Sequence, residues 1–399
     1  MNHRTPPEIK HSEVPQDYKL LAAYFDWWAE SLDMVMPGHL WQRLKDAKAE
    51  AIERDDRRKS SIEFMFGGEA FQLLPTGAAG GKEFVLIGPD LRFEFGSPKR
   101  SFAVNWRATA AGLWEYGLEA LHKRVFDILE REQFTINSNH WRKLSRVDFA
   151  FDIEAPSFTG EMIPEIARQV ICPKESKTRG DFVARNCRLE TLTIGSKKAC
   201  QVQVYDKGLE ITELSGKTWM IDIWMENGYA PEIPEDGEIK HRDVWRLEAR
   251  MAGDWLKSRT GKDPEEFLDN MWSLIAEALY NRRITLPTND SNRYRWPLHP
   301  LYSLAVEYCG NPGRFMPTGR RTTEKADVLQ DMLLSNIAGT LRSLVVLRLR
   351  GALDEEKTFS TDEADKAIEE AMQRLLWDRE HKTKIARALD RYAFVDEAI

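Results

Sequence analysis

Residues 145–154 read SRVDFAFDIE, residues 200–208 read CQVQVYDKG and residues 244–251 read VWRLEARM. Each is short, apolar at every second position and rich in β-branched or aromatic side chains, the pattern of a strand half-buried in a sheet. Successive strand side chains project to opposite faces, so residues two apart share a face. Val147, Phe149, Phe151 and Ile153 therefore form one apolar set, with Asp148, Ala150 and Asp152 opposite. Val202 and Val204 face away from Gln201, Gln203, Tyr205 and Lys207. Trp245, Leu247, Ala249 and Met251 face away from Arg246, Glu248 and Arg250. The apolar sets suit a layer of helices. The other face collects carboxylates, cations and one tyrosine.

Working outward, 18–58 alternates apolar and polar groups at helical spacing, interrupted by MPGH, and is expected to be a helical N-terminal segment spanning 1–58. Residues 59–142 open with SIEFMF, FQLLP, EFVLIG, LRFEF and SFAVNWR, separated by glycine-rich turns, and close with a 3.6-residue period over 109–132. Residues 143–285 repeat that plan: candidate strands, including KTWMIDIWM, and then the helical PEEFLDNMWSLIAEALYNRR. Residues 286–399 read as a helical C-terminal region, with amphipathic stretches at 324–350 and 361–392. The expected class is α+β: two successive antiparallel sheets, each backed by helices, in an arrangement that suggests internal pseudo-symmetry without a sequence repeat.

The chain has 399 residues, 42% hydrophobic and 30% charged, enough for two or three compact units. No run of apolar residues reaches the eighteen or so needed to span a membrane, and the polar opening NHRTPPEIKHSEVPQD lacks the apolar core of a secretory signal, so no membrane contact and a cytoplasmic location are expected. Cys172, Cys187, Cys200 and Cys309 lie too far apart for a zinc ribbon or redox dithiol and read as reduced thiols. The net charge of -7 is unfavourable for binding nucleic acid, yet Arg282, Arg283, Arg293, Arg295, Arg314, Arg320 and Arg321 crowd one tenth of the chain against Asp290 and Glu307. Within that stretch RYRWP interleaves Arg293 and Arg295 with Tyr294 and Trp296, a pairing of phosphate contacts with stacking surfaces.

A polar strand face is ordinarily just a solvated surface. Here its chemistry is specific. Asp148 and Asp152 share a face of one strand, where two like charges repel unless a cation lies near. With Glu248 as a third carboxylate they would suit a hard divalent ion, Mg²⁺ or Mn²⁺. Tyr205 is the candidate nucleophile, and Lys207, two residues on, would lower the phenol's pKa or neutralise charge developing on phosphate. Lys197 and Lys198 in the turn TIGSKKAC, with Arg246 and Arg250 on the next strand, are candidate contacts to a nucleic-acid backbone.

At these residues the sequence resembles the replication initiation factor family (Rep_trans), which contains initiators of rolling-circle plasmids, replication proteins of filamentous phages and related relaxases of conjugative elements. SRVDFAFDIE resembles its Arg-hydrophobic-Asp strand, TLTIGSKKACQVQVYDKGLE its Gly-Ser turn and Tyr-Asp-Lys strand with a downstream Glu, and VWRLEARM its Trp-Arg-hydrophobic-Glu strand. The resemblance covers 145–251, about a quarter of the chain. Cys200 stands where Ser is usual and Lys197 where Arg is common. The resemblance implies that Tyr205 becomes linked to DNA with Lys207 beside it, and that Asp148 and Glu248, with Asp152 and Glu210, hold the metal. The implied activity is nicking of one DNA strand at an origin through a 5′-phosphotyrosine, followed by religation; a relaxase with the same chemistry and a noncatalytic DNA-binding regulator are the alternatives. The partners expected are origin DNA, single-stranded or extruded as a cruciform, a helicase, and a second copy of the chain.

Overall fold

The computed structural model describes residues 9–53, 61–158, 163–173, 181–185, 188–231, 241, 243–312 and 361–377, with isolated helical positions between 330 and 344 and at 385. Its strands are β1 (Lys19–Leu32), β2 (Met34–Val35), β3 (Ile62–Phe66), β4 (Glu69–Leu73), β5 (Lys82–Ile87), β6 (Leu91–Gly96), β7 (Val104–Ala108), β8 (Thr135–Ile136), β9 (Arg142–Glu154), β10 (Val170–Ile171), β11 (Asp181–Arg185), β12 (Arg188–Gly195), β13 (Cys200–Asp206), β14 (Val244–Ala252) and β15 (Arg283–Ile284). The helices are α1 (Gly38–Glu53), α2 (Ala110–Tyr116), α3 (Leu118–Arg131), α4 (Ile163–Gln169), α5 (Lys207–Glu210), α6 (Trp219–Glu226), α7 (Gly253–Thr260), α8 (Pro264–Asn281), α9 (Pro300–Gly310) and α10 (Thr361–Trp377). The fold is α+β. Eleven strands form one antiparallel sheet in the order β11-β12-β13-β14-β9-β1-β7-β6-β5-β4-β3.

The strand that joins the two halves is β1, which pairs with β7 along one edge and with β9 along the other. Its segment, KLLAAYFDWWAESL, falls in the region expected to be helical, and that reading is corrected. The reason lies in three register shifts against β9, between Leu20 and Ala22, Phe25 and Trp27, and Ala29 and Glu30. The first two insert an extra residue in β1 and slip its two-residue alternation by one; the third inserts Ser145 in β9. The buried positions Ala23, Phe25, Trp28 and Leu32 then fall at irregular intervals that mimic a helical period. The helical reading holds for α1.

Two further expectations change. KTWMIDIWM is not a strand: α6 buries Trp219, Met220, Ile223 and Trp224 at helical spacing against Leu21 and Ala22 of β1. A short apolar run of this kind has no period that separates strand from helix. The single helix over 109–132 is two helices, α2 capped by the Thr109 side chain accepting from the Gly112 N–H at 3.1 Å, and α3, with Gly117 at φ 81° between them. The helix α8 starts as the sequence indicates, with Asp263 accepting from two backbone N–H groups and Pro264 at the first position. It packs on β9, β13 and β14, where Trp272 meets Phe149 edge-on at 5.5 Å. Cys200 and Cys309 are buried thiols and Cys172 is half-buried; Cys187 lies outside the described residues, as do Arg314, Arg320, Arg321 and most of 324–350 and 378–392. Among the described residues no helix is long and apolar enough to cross a membrane.

One carboxylate sits inside the core layer. Glu30 of β1 is fully buried; it accepts from Trp28 Nε1 at 2.8 Å and from Arg142 at 2.9 and 3.0 Å, and His122 Nε2 lies 2.8 Å away. Burial by itself raises its pKa, but the bonds to His122 and Arg142 more than offset that and hold it at about 2, below its ordinary 4.5. Glu30 therefore contributes stability in full above pH 4.5, and that contribution is lost as the pH falls toward about 2. Glu30→Gln leaves Arg142 with a broken buried pair and is expected to cost about 3–5 kcal/mol at neutral pH. Urea unfolding at pH 7 and pH 3 measures both effects: the gap between wild type and variant should narrow at the lower pH.

Candidate functional site

The strand register arranges the polar face in rows. Thr191, Tyr205, Arg246, Asp152 and Ala22 lie opposite one another across β12, β13, β14, β9 and β1. The next row holds Thr193, Gln203, Glu248, Ala150 and Tyr24, and the one after it Gln201, Arg250, Asp148 and Trp27. Tyr205, Glu248, Asp148 and Asp152 thus share a face, as alternation along each strand requires. The order of strands that makes them neighbours is β13-β14-β9.

Two charged networks meet at Tyr205. In the first, the Tyr205 hydroxyl donates to Glu248 Oε2 at 3.2 Å, and Arg250 Nε donates to Glu248 Oε1 at 2.7 Å and lies 3.9 Å from Asp148 Oδ2. Arg146 Nε then donates to Asp148 Oδ1 at 2.8 Å. In the second, Arg246 grips Asp152 through two bonds of 2.5 and 2.8 Å and donates to Asp26 at 2.8 Å, while Trp224 Nε1 donates to Asp152 at 2.9 Å. Burial pushes the Tyr205 phenol well above 10; Arg246 draws it down, and Glu248, Asp26 and Glu210 add to the rise. The phenol is therefore protonated at rest, with a carboxylate oxygen placed to receive its proton.

Asp148 is raised to about 7, first by burial and then by the charge of Glu248, while Arg146 and Arg250 oppose the rise. These two carboxylates repel each other, and as hard oxygen donors they suit a divalent cation. The wider set expected from the sequence is not assembled. Asp152 is taken up by Arg246 and Trp224, and Glu210 pairs with Lys207 on α5. Among the described residues no group of three or more His, Cys, Asp or Glu side chains is arranged to hold a metal ion.

Lys207 does not extend the strand. Asp206 ends β13 by accepting from the Leu209 N–H at 2.8 Å, and Lys207 begins α5. Its buried ammonium nevertheless lies 5.9 Å from the centre of the Tyr205 ring. Burial lowers its pKa, Arg246 lowers it further, and Glu210 opposes both.

The expected backbone contacts separate. Arg246 is buried and doubly paired, so it is structural. Arg250 stays one-quarter exposed beside Glu248. Lys197 and Lys198 are exposed at the tip of the β12–β13 turn, beyond Cys200, which is five residues from Tyr205, or roughly 17 Å of strand. Gly195 makes that turn possible at φ 101°, because a Cβ there would lie 2.5 Å from the Cys200 carbonyl oxygen. In the arginine-rich stretch, Arg282 bonds the Cys200 carbonyl, and Arg283 is buried with bonds to the Tyr280 and Tyr294 carbonyls. Arg293 and Arg295 are exposed, Arg293 donating to the Val170 carbonyl and Arg295 lying 3.6 Å from Asp290.

Sequence reading missed Asp26, Trp27 and Arg146. Asp26 sits at the Phe25–Trp27 register shift, which turns it toward Arg246. The available signal was an acid inside an aromatic run, YFDWW, at 24–28. Because Asp152 and Arg246 form a buried ion pair, Asp152→Asn is expected to cost about 3–5 kcal/mol of stability. Chemical denaturation checks this, and an unchanged midpoint would remove Asp152 from the supporting structure.

No family model and no curated protein matches the sequence. Among solved structures, the chain is similar to one described as the rolling circle replication initiator protein from Geobacillus stearothermophilus, with a TM-score of 0.39 and 14% identity, over 75% of this chain and 99% of that one.

Proposed function

We propose that the protein is a rolling-circle replication initiator that nicks one DNA strand at an origin by transesterification on Tyr205. The observation that carries this reading is the Tyr205 hydroxyl on Glu248 Oε2 at 3.2 Å, between Arg250 and Lys207. The resemblance of 145–251 to replication initiation factors supports it independently. A tyrosine buried only for packing needs one hydrogen-bond acceptor; it does not need two cations and a second carboxylate around it.

In this mechanism Glu248 takes the phenolic proton as the Tyr205 oxygen attacks phosphorus. A bond forms between that oxygen and phosphorus, and the bond from phosphorus to the 3′ oxygen breaks. The departing 3′ oxygen is protonated from solvent. The 5′ phosphate stays on Tyr205 as a diester, so a free 3′ hydroxyl can reverse the step and religate the strand. Arg250 and Lys207 supply positive charge where the phosphate gains negative charge. Asp148 and Glu248 are the residues that would hold Mg²⁺ or Mn²⁺, which when bound polarises the scissile phosphate. Asp152, Arg246 and Asp26 fix the strand from which Tyr205 projects.

Tyr205→Phe removes only the attacking oxygen. It is expected to abolish nicking and covalent attachment while leaving DNA affinity in place. Labelled single-stranded origin DNA on a denaturing gel, followed by mass spectrometry of the linked peptide, reads this out; attachment at another tyrosine would overturn the assignment. Glu248→Gln should slow nicking by about 10²–10⁴-fold, the range of a general base. A chelator should abolish nicking and added Mg²⁺ or Mn²⁺ restore it. Full activity in excess chelator would sink the role given to Asp148.

A further inference from the structure

A fourth row of the same face runs beyond the site. Arg92 of β6 lies opposite Arg107 of β7, Arg107 lies opposite Ala29 of β1, and Ala29 lies opposite Arg146 of β9. Three arginines therefore share one cross-strand row, with only a methyl group in the gap. Like charges directly opposite each other destabilise a sheet. Arg92 is relieved by Glu94 at 2.8 Å and Arg146 by Asp148 at 2.8 Å. Arg107 has no carboxylate within ion-pair distance among the described residues. Burial, and then Arg92, lower its pKa to about 10, with Glu94 opposing and Arg146 adding to the fall.

Two of these side chains, Arg107 and Arg146, rest on Trp27. The guanidinium carbons of Arg107 and Arg146 lie 4.4 and 4.7 Å from the centre of its ring. Its indole N–H is buried and has no acceptor among the described residues. Two guanidinium groups, from β7 and β9, thus meet over one ring of β1, and both are donors only. An acceptor with several oxygens and negative charge is the complementary partner. The row is continuous with Tyr205, through Arg146, Asp148, Arg250 and Glu248 in turn.

We propose that Arg107 and Arg146, supported on Trp27, with Arg92 beside Arg107, form a phosphodiester-binding subsite that holds a backbone phosphate of the strand whose scissile phosphate lies at Tyr205. It rests on the reading of Tyr205 given above and adds a second anchor, on the N-terminal half of the sheet. Joining the halves through β1 then has a functional consequence: one half carries the chemistry and the other grips the strand.

The test is binding of the full chain to labelled single-stranded origin DNA across a salt series, comparing wild type, Arg107→Gln and Arg107→Lys. One phosphate contact on a single strand contributes a slope of about 0.7 in log affinity against log salt, or about fivefold at 0.1 M salt. Arg107→Gln should lose about that much affinity and slope, and Arg107→Lys should retain most of the slope. The unfolding temperature of Arg107→Gln should be unchanged or higher, because the substitution relieves repulsion; a packing role would lower it. Unaltered affinity and slope in Arg107→Gln, with Tyr205 attachment intact in wild type, would overturn this inference alone. Wild-type protein that binds no DNA would overturn the parent reading with it. Inorganic phosphate is the control for a small-anion site. If phosphate raises the unfolding temperature of wild type but not of Arg107→Gln, while DNA affinity is equal in the two, the strand assignment fails.

Discussion

Arg246 has its guanidinium almost entirely out of water, on a strand at the centre of the polar face. A buried charge is tolerable only when it is paired and its donors are used. Arg246 meets that condition by drawing Asp152 from β9 and Asp26 from β1 onto one fork. Three adjacent strands are thereby held at fixed register, and α6 is tied down through Trp224. The position of Tyr205 follows, because its backbone lies directly opposite Arg246. Asp26 is kept at about 2, with burial raising it and Arg246, Lys217 and Lys207 more than offsetting the rise, so the clamp stays charged at any physiological pH.

The charges nearer the open end of this face are balanced differently. Asp148 and Glu248 repel each other and, among the described residues, Arg107 has no carboxylate within ion-pair distance, whereas Arg246 is paired with both Asp152 and Asp26. Asp148 and Glu248 are each gripped by an arginine that stays about one-quarter exposed, Arg146 and Arg250. The face is thus divided into a buried, matched cluster around Arg246 and a set of charges nearer to solvent.

Much of this was legible in the sequence. Alternation in VDFAFDI, CQVQVYD and WRLEARM assigns Asp148, Tyr205 and Glu248 to the faces they occupy, because strand periodicity is local and these three stretches pair with one another without a register shift. The helix α8 was legible from its local period as well. Where locality failed, so did the reading. Two bulges disguised β1 as a helix, and the apolar run in α6 had no period to distinguish it. Lys207 was assigned by extending an alternation that Asp206 ends.

Sequence by itself determined which side chains β9, β13 and β14 turn toward the polar face, since that depends only on the two-residue repeat of an extended backbone. It determined the helix α8 and the turn at Gly195 as well, which depend on a few neighbouring residues. Tertiary structure decided which strands lie side by side, and hence that Tyr205 reaches Glu248, that Asp152 serves Arg246 as a partner, and that Arg107 shares a row with Arg146. Those pairings join residues separated by tens of positions. Their selection rests on burying the apolar faces under shared helices and on matching buried charges across strands, and neither constraint is visible within any one segment.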